Sequence, residues 1–185
     1  MTTLKIHTIE SAPQASKPFL EESLKSNGMI PGLHGVLAGA PGLLEAYQTL
    51  HRLFTESSFN NDELTVVWQT INVEHECHYC VPAHTAIANM MKVDPQLSEA
   101  LRNGTAMTTS KLQALHDFTL KIVRNRGQVN QADLEQFYAA GYEDRQVLEI
   151  ILGLSQKVIS NYTNHIANTP VDAPFQKFAW VAETV

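Results

Sequence analysis

The chain has 185 residues, a formal net charge of −6 and only 17% charged residues, and this length favours one domain with a buried core. Lys and Arg are scattered along the sequence, so it lacks the basic footprint that binds nucleic acid or an anionic membrane. The N-terminal residues do not follow a signal-peptide pattern and no apolar run approaches the roughly 20 residues of a membrane span, which predicts a cytoplasmic protein without nucleic-acid or membrane partners.

Helix signals follow one another along the chain. After a mixed N-terminal arm, an amphipathic helix is predicted over residues 17–26, ending at the C-cap signature Asn27-Gly28, and Pro31 begins another. Further helices are predicted near residues 41–56, 60–71, 81–92, 94–103, 108–125, 130–140 and 144–168. Strand-like alternation is absent, so the predicted fold is all-α, a single-domain bundle of seven to nine helices.

The stretch from Glu74 to His84, EHECHYCVPAH, contains both cysteines of the chain. Pro82 has no backbone N–H and fits best in the first turn of a helix, so a helix should start at residues 79–81. Cys77 and Cys80 then lie at or just before the helix N-terminus, where unpaired N–H groups and the helix dipole favour negative charge. This position predicts a lowered thiol pKa and a raised thiolate fraction.

The spacing of three residues in this stretch suggests a reactive group. If the turn is helical, Cys77, Cys80 and His84 share an arc of about 60°. His84 follows Cys80 by four residues, so its imidazole can accept the thiol proton or pair with the thiolate. A nucleophile, its base and a resolving thiol are therefore predicted on one helix face.

Two other interpretations of the cysteines stay open. They can be small buried hydrophobes, or zinc can be bound by Cys77, Cys80 and His84 with His75 or His78. Structural zinc sites commonly join two separated ligand pairs, and the sequence offers no second pair. A redox-active Cys-x-x-Cys is therefore the favoured interpretation, with no metal and no cofactor.

The segment from Cys77 to Thr85 follows the pattern C-x-Y-C-x-x-x-H-T, which resembles the alkyl hydroperoxidase D-like branch of the carboxymuconolactone decarboxylase superfamily. The similarity extends from about Gly42 to Asp172. On this basis the chain divides into an N-terminal arm with short helices (1–40), an alkyl hydroperoxidase D-like helical domain (41–172) and a C-terminal tail (173–185).

The resemblance implies a thiol-dependent peroxide reductase with an antioxidant role. Cys80 would attack an organic hydroperoxide or hydrogen peroxide, Cys77 would resolve the sulfenic acid as a disulfide, and His84 would belong to a proton relay. A thioredoxin-like or dihydrolipoamide-type thiol would reopen the disulfide, and a homo-oligomer is expected. Helix geometry alone leaves the attacker open, because the first cysteine of such a pair is often the more exposed one.

The relay implied by the resemblance also contains an upstream glutamate. Glu63 is the best match, although it precedes Cys77 by a slightly longer separation than in the family pattern. Glu74 and Glu76 are the alternatives.

Three other functions fit the same sequence. The thiols can serve redox sensing or disulfide transfer without peroxidase turnover; a decarboxylase or lactone-processing enzyme would not need them; and a zinc-binding structural domain would use them as ligands.

On the last predicted helix, Asn161 and His165 continue the apolar stripe and are expected to point inward.

Overall fold

The structure is a computed structural model that describes residues 4–182. This part of the chain forms nine α-helices: α1 Lys17–Asn27, α2 Gly32–Leu37, α3 Pro41–Thr55, α4 Asn61–Glu74, α5 Cys80–Met90, α6 Pro95–Asn103, α7 Ser110–Arg124, α8 Gln131–Ala139 and α9 Asp144–Ala167. Short 3₁₀ helices span Gln14–Ser16 and Ala173–Phe178, and no strand occurs among the residues described. The prediction of an all-α bundle is confirmed.

The helix ends follow the local sequence signals. Gly28 and Gly104 end α1 and α6 in the left-handed conformation, with φ of 70° and 64°, which glycine adopts without steric cost. Asn60 caps α4 through its side chain, which accepts from Glu63 N–H. α5 begins at Cys80, within the range predicted from Pro82.

α4 is the central helix of the fold and packs against α5, α6, α7 and α9. The larger hydrophobic core forms around it and contains Trp68, Leu97 and Phe118. α3 lies against α9 on the other side of the bundle. α4 ends directly before the two cysteines, so this packing fixes where the thiols lie.

A second group of buried residues surrounds the cysteines, and we call it the thiol cluster. Its members are Ala12, Leu20, Leu33, Leu37, Ala38, Leu44, Tyr47, Cys77, Tyr79, Cys80 and Ala83. Several of them come from α1 and α2, so the segment predicted as an N-terminal arm contributes a wall of the compartment that holds both thiols.

The C-terminal tail is held against α5, and its Phe175 packs against the thiol cluster. The 3₁₀ helix Ala173–Phe178 packs against α5. Arg102 donates from Nη1 to the Phe178 carbonyl at 3.1 Å, and Trp180 Nε1 donates to the Arg102 carbonyl at 3.0 Å. Between residues 4 and 182, no helix has the length and apolar character needed to cross a membrane.

Candidate active site

The two thiols meet at the junction between α4 and α5. Cys77 lies in the turn and Cys80 is the first residue of α5, with 0% and 2% of their surfaces exposed. Their side chains approach to near 3.0 Å without a disulfide bond. Cys80 N–H also donates to Cys77 Sγ at 3.3 Å. The turn therefore holds the two sulfurs at a separation from which a small movement can join them.

The surroundings differentiate the two thiols electrostatically. A hydrogen bond to Cys80 and burial raise the pKa of Cys77. Burial also acts to raise the pKa of Cys80, but the hydrogen bond from Cys77 and the positive charge of Lys157 outweigh it, so the pKa of Cys80 lies below its ordinary value. Cys80 is therefore the thiol that ionises first.

Lys157 of α9 is a fully buried member of the site, and its Nζ lies 2.6 Å from His84 Nε2. Burial lowers the pKa of Lys157 to about 8, and the negative charge of Cys80 opposes this shift. Burial, followed by the charge of Lys157, lowers the pKa of His84 well below its ordinary value. A neutral imidazole that accepts a hydrogen bond from Lys157 at Nε2 must carry its own proton on Nδ1.

Asn164, also on α9, contacts the Cys80 sulfur directly. Its Nδ2 donates to Cys80 Sγ at 3.3 Å, which stabilises a thiolate. Two buried polar atoms of the site, Asn164 Oδ1 and His84 Nδ1, have no hydrogen-bond partner among the described residues. One is an acceptor and the other a donor, so each has the capacity for one further hydrogen bond.

Behind the thiols runs a row of buried amides. Asn161 Nδ2 donates to Asn72 Oδ1 at 2.9 Å, and Asn72 Nδ2 donates to Gln69 Oε1 at 3.0 Å. Gln69 Nε2 then donates to the Val81 carbonyl and to Thr85 Oγ1, both at 3.2 Å. This row joins α9, α4 and α5 and fixes the start of α5 relative to the residues that contact Cys80.

An aromatic group completes the site on the side of α3. The rings of His51 and Trp68 are stacked at 5.5 Å, and the rings of Trp68 and His84 lie 4.9 Å apart. Gln156 accepts from Trp68 Nε1 at 2.8 Å and contacts His51 Nδ1 at 3.1 Å. The His84 ring is therefore held from two directions, by Trp68 and by Lys157.

Tyr79, between the two cysteines, ties the site to the tail. Its hydroxyl donates to Asp172 Oδ2 at 2.5 Å, and both carboxylate oxygens of Asp172 accept from Gly32 N–H at 3.2 Å. Burial and the charge of Asp172 raise the pKa of Tyr79. The tyrosine therefore acts as a neutral hydrogen-bond donor that connects the Cys-x-x-Cys turn to α2 and to the tail.

The structure brings Cys77, Cys80 and His84 into one site but places the candidate glutamates elsewhere. The Glu63 carboxylate accepts from Asn60 N–H at 3.0 Å and forms an ion pair with Lys111 at 3.0 Å. Glu74 makes a two-point ion pair with Arg124 at 2.8 Å, and Glu76 is exposed in the turn.

The histidines near the cysteines are also occupied by other contacts. His75 Nδ1 contacts Asn161 Oδ1, and His78 Nε2 bonds to the Thr169 carbonyl, both at 2.9 Å. Asn161 is buried as expected. His165 was expected to point inward but is exposed, because its Nε2 bonds to the His75 carbonyl at the surface of the turn. Residues 4–182 contain no group of three or more His, Cys, Asp or Glu arranged to hold a metal ion.

Lys157 and Asn164 are the functional candidates that sequence reasoning missed. Both share the inner face of α9 with Asn161, at spacings of four and three residues. The buried face of α9 is mostly polar, whereas its apolar residues Leu148, Ile151 and Ile166 are exposed. The apolar periodicity of the sequence therefore did not identify Lys157 or Asn164.

Comparisons with known proteins agree with this architecture. No family model and no curated protein matches the chain. Among solved structures, it is similar to an uncharacterised peroxidase-related protein with an alkylhydroperoxidase AhpD core from Ralstonia eutropha JMP134, with 20% identity, 94% of each chain covered and a TM-score of 0.82. A peroxidase-related protein from Silicibacter sp. TM1040 is 22% identical over 94% of this chain and 93% of that chain, with a TM-score of 0.80.

A third similar structure has a different activity. The debrominase Bmp8, in a cysteine-to-alanine variant bound to 2,3,4-tribromopyrrole, is 14% identical over 96% of this chain and 95% of that chain, with a TM-score of 0.77. At these identities the comparisons show the fold. The protein is a single-domain, all-α chain of the AhpD-like fold with a buried Cys-x-x-Cys.

Proposed function

We propose that this protein is a thiol-dependent peroxide reductase in which Cys80 attacks and Cys77 resolves. One observation carries the proposal. The side chains of the two cysteines nearly touch, yet the pKa of Cys77 is raised and the pKa of Cys80 is lowered. Cys80 is placed to form a thiolate, while Cys77 is kept protonated beside it, as a nucleophile and its resolving thiol require.

The chemistry proceeds in two steps. The Cys80 thiolate attacks one oxygen of the hydroperoxide, an S–O bond forms as the O–O bond breaks, and the leaving alkoxide takes a proton from the site to become an alcohol. Cys77 then attacks the Cys80 sulfenic acid, an S–S bond forms and water leaves. The peroxide is reduced by two electrons and the two thiols are oxidised to a disulfide.

The unpartnered polar atoms of the site support a peroxide as the substrate. A hydroperoxide has one O–H donor and oxygen acceptors, which complement Asn164 Oδ1 and the Nδ1–H of His84. Organic hydroperoxides and hydrogen peroxide share this group. A thioredoxin-like or dihydrolipoamide-type dithiol would close the cycle by reducing the disulfide.

Free-thiol titration tests this function. Wild-type protein treated with one equivalent of an organic hydroperoxide is expected to lose both thiols, Cys77→Ser to accumulate a sulfenic acid at Cys80, and Cys80→Ser to remain unoxidised. Mass spectrometry identifies each product, and peroxide consumption with a dithiol present measures turnover. Wild-type protein that keeps both thiols would exclude the proposal. Oxidation without turnover would instead favour a redox sensor or a disulfide-transfer module.

Bromide release provides a second readout of the same thiols. The debrominase with the same fold was captured with a bromopyrrole, so 2,3,4-tribromopyrrole serves as an alternative substrate in the assay. Bromide released by wild-type protein that consumes no peroxide would reassign the site to dehalogenation.

Glu63 is assigned a structural role in this proposal, since its carboxylate is bound by the α4 cap and by Lys111. Glu63→Gln tests the assignment. If thiol oxidation slows much more in this variant than its loss of stability explains, Glu63 belongs to the relay after all.

A further inference from the structure

Lys157 is a buried cation without a carboxylate partner. It is 0% exposed, and none of the ion pairs found within residues 4–182 includes it. An ammonium group buried without a counter-charge is strongly disfavoured. The site must therefore either remove the proton from Lys157 or supply a negative charge.

The groups that face Lys157 restrict how this requirement is met. α3 contributes His51 and, beside the thiols, Tyr47, and α5 contributes His84. Burial raises the pKa of Tyr47, whereas burial and the charge of Lys157 lower the pKa of His51 to about 4. Near pH 7 these groups carry no charge.

The thiols are the remaining titratable neighbours. Cys80, and after it Cys77, are the groups whose negative charge stabilises the ammonium form of Lys157. The nearby α9 amides Asn161 and Asn164 are neutral, and α4 presents the neutral Trp68 and Gln69 to this region. Thiolate at Cys80 and ammonium at Lys157 therefore compensate each other.

We propose that Lys157 is the residue that holds the proton of the Cys80 thiol and returns it through His84 when the peroxide bond breaks. Lys157 takes the place in the relay for which a glutamate was expected. It is a positioning residue, because it acts through its charge and through the imidazole it contacts. The return of the proton to the leaving oxygen rests on the proposed peroxidase function, whereas the pairing of thiolate and ammonium does not.

Proton transfer in this scheme leaves the buried centre neutral at every stage. The thiol and amine become thiolate and ammonium in the first step. Thiolate, hydroperoxide and ammonium then give sulfenic acid, alcohol and amine. In this step Lys157 passes a proton to His84 Nε2, and the proton on His84 Nδ1 passes to the leaving oxygen. Disulfide formation releases water and leaves the amine neutral. A carboxylate base would instead leave one uncompensated negative charge in the same compartment.

The first test is the pH dependence of thiol alkylation in reduced protein. Lys157→Met, which keeps an unbranched side chain of similar size but removes the charge, is expected to raise the alkylation midpoint of Cys80 by about one pH unit or more, a roughly tenfold loss of thiolate at pH values well below the midpoint. Lys121→Met is the matched control, since Lys121 pairs with Asp133 and neither residue belongs to the thiol cluster. Mass spectrometry assigns the labelled cysteine.

The second test observes Lys157 in a protein that retains it. In Cys80→Ser the ammonium loses its counter-charge, so the pKa of Lys157 is expected to fall below its wild-type value, measured by the pH dependence of amine labelling or by nitrogen NMR. This result decides the question even if Lys157→Met does not fold.

The outcomes separate the two proposals. An unchanged Cys80 midpoint in a folded Lys157→Met protein, or an unchanged Lys157 pKa in Cys80→Ser, would overturn the inference. If both shifts occur but wild-type protein consumes no peroxide, the thiolate and ammonium pair stands and the proposed function fails.

Discussion

At the scale of single residues, the lowered pKa of Cys80 comes from its tertiary neighbours. The helix N-terminus predicted a lowered thiol pKa for both cysteines, yet the pKa of Cys77 is raised and that of Cys80 is lowered. Lys157 and Asn164 act on Cys80, whereas Cys77 lies where burial and the neighbouring sulfur oppose ionisation. This difference supports Cys80 as the attacking thiol.

Two partly buried histidines give the protein a defined pH dependence. Burial lowers the pKa of His34 and His51 to about 4, from an ordinary value of 6.5. The unfolded chain binds more protons than the folded one between these two values, so stability is complete above pH 6.5 and is lost as the pH falls towards 4. Each histidine contributes at most about 3 kcal/mol to this loss.

Urea unfolding at several pH values checks this prediction. His34→Gln keeps a polar side chain beside Ser23, whose Oγ lies 2.8 Å from His34 Nδ1, but it cannot titrate. Its free energy of unfolding should fall less steeply below pH 6.5 than that of wild type. The control is His116→Gln, which replaces a histidine that contacts the exposed Asp117. Equal slopes for wild type and His34→Gln would contradict the prediction.

At the scale of helices, α9 is the element that organises the site. It carries Gln156, Lys157, Asn161 and Asn164 on one buried face, and it approaches α3 closely at Gly153. A Cβ placed on Gly153 would lie 2.8 Å from Phe54 Cε2. Because Phe54 is fully buried between Phe59 and Trp68, its ring has little room to move. The glycine therefore sets the distance between the two helices.

Two glycine substitutions test this helix contact. Gly153→Ala is expected to lower the free energy of unfolding by about 1 to 3 kcal/mol through overpacking. Gly42→Ala, in α3, meets no atom within 4 Å and is expected to be neutral or to gain up to about 1 kcal/mol, because alanine favours the helix. Thermal or urea unfolding measures both. If the two variants are equally stable, α3 and α9 are not in tight contact at Gly153.

At the scale of the whole molecule, both thiols are enclosed. α1, α2 and the tail cover the compartment in which Cys77 and Cys80 lie, and 2% or less of either cysteine is exposed. A protein-sized reductant cannot reach a sulfur in this state. Reduction of a disulfide here therefore requires local opening of the cover. Local opening costs less free energy than global unfolding because it breaks fewer contacts.

A pair of leucine truncations distinguishes local from global opening. Leu37 belongs to the thiol cluster and Leu97 to the larger core, with 1% and 0% of their surfaces exposed. Each change to alanine is expected to cost about 2 to 5 kcal/mol of stability. Under native conditions, Leu37→Ala should accelerate alkylation of the cysteines by more than its loss of global stability explains. Leu97→Ala should not. Equal acceleration in both variants would show that the thiols become accessible only on global unfolding.

The sequence by itself determined the helices, most of their ends and the turn that places Cys77 and Cys80 near His84, because capping residues, glycines and apolar periodicity act over a few positions along the chain. Only the tertiary structure decided what surrounds that turn. From a helix more than seventy positions away, Lys157 contacts His84 and Asn164 contacts Cys80, and the cover over the thiols comes from α1, α2 and the tail. Glu63, which fitted the sequence pattern, is held by Asn60 and Lys111 instead. Contacts between distant segments depend on how the helices pack, and that packing supplies the charge that lowers the pKa of one of two adjacent thiols.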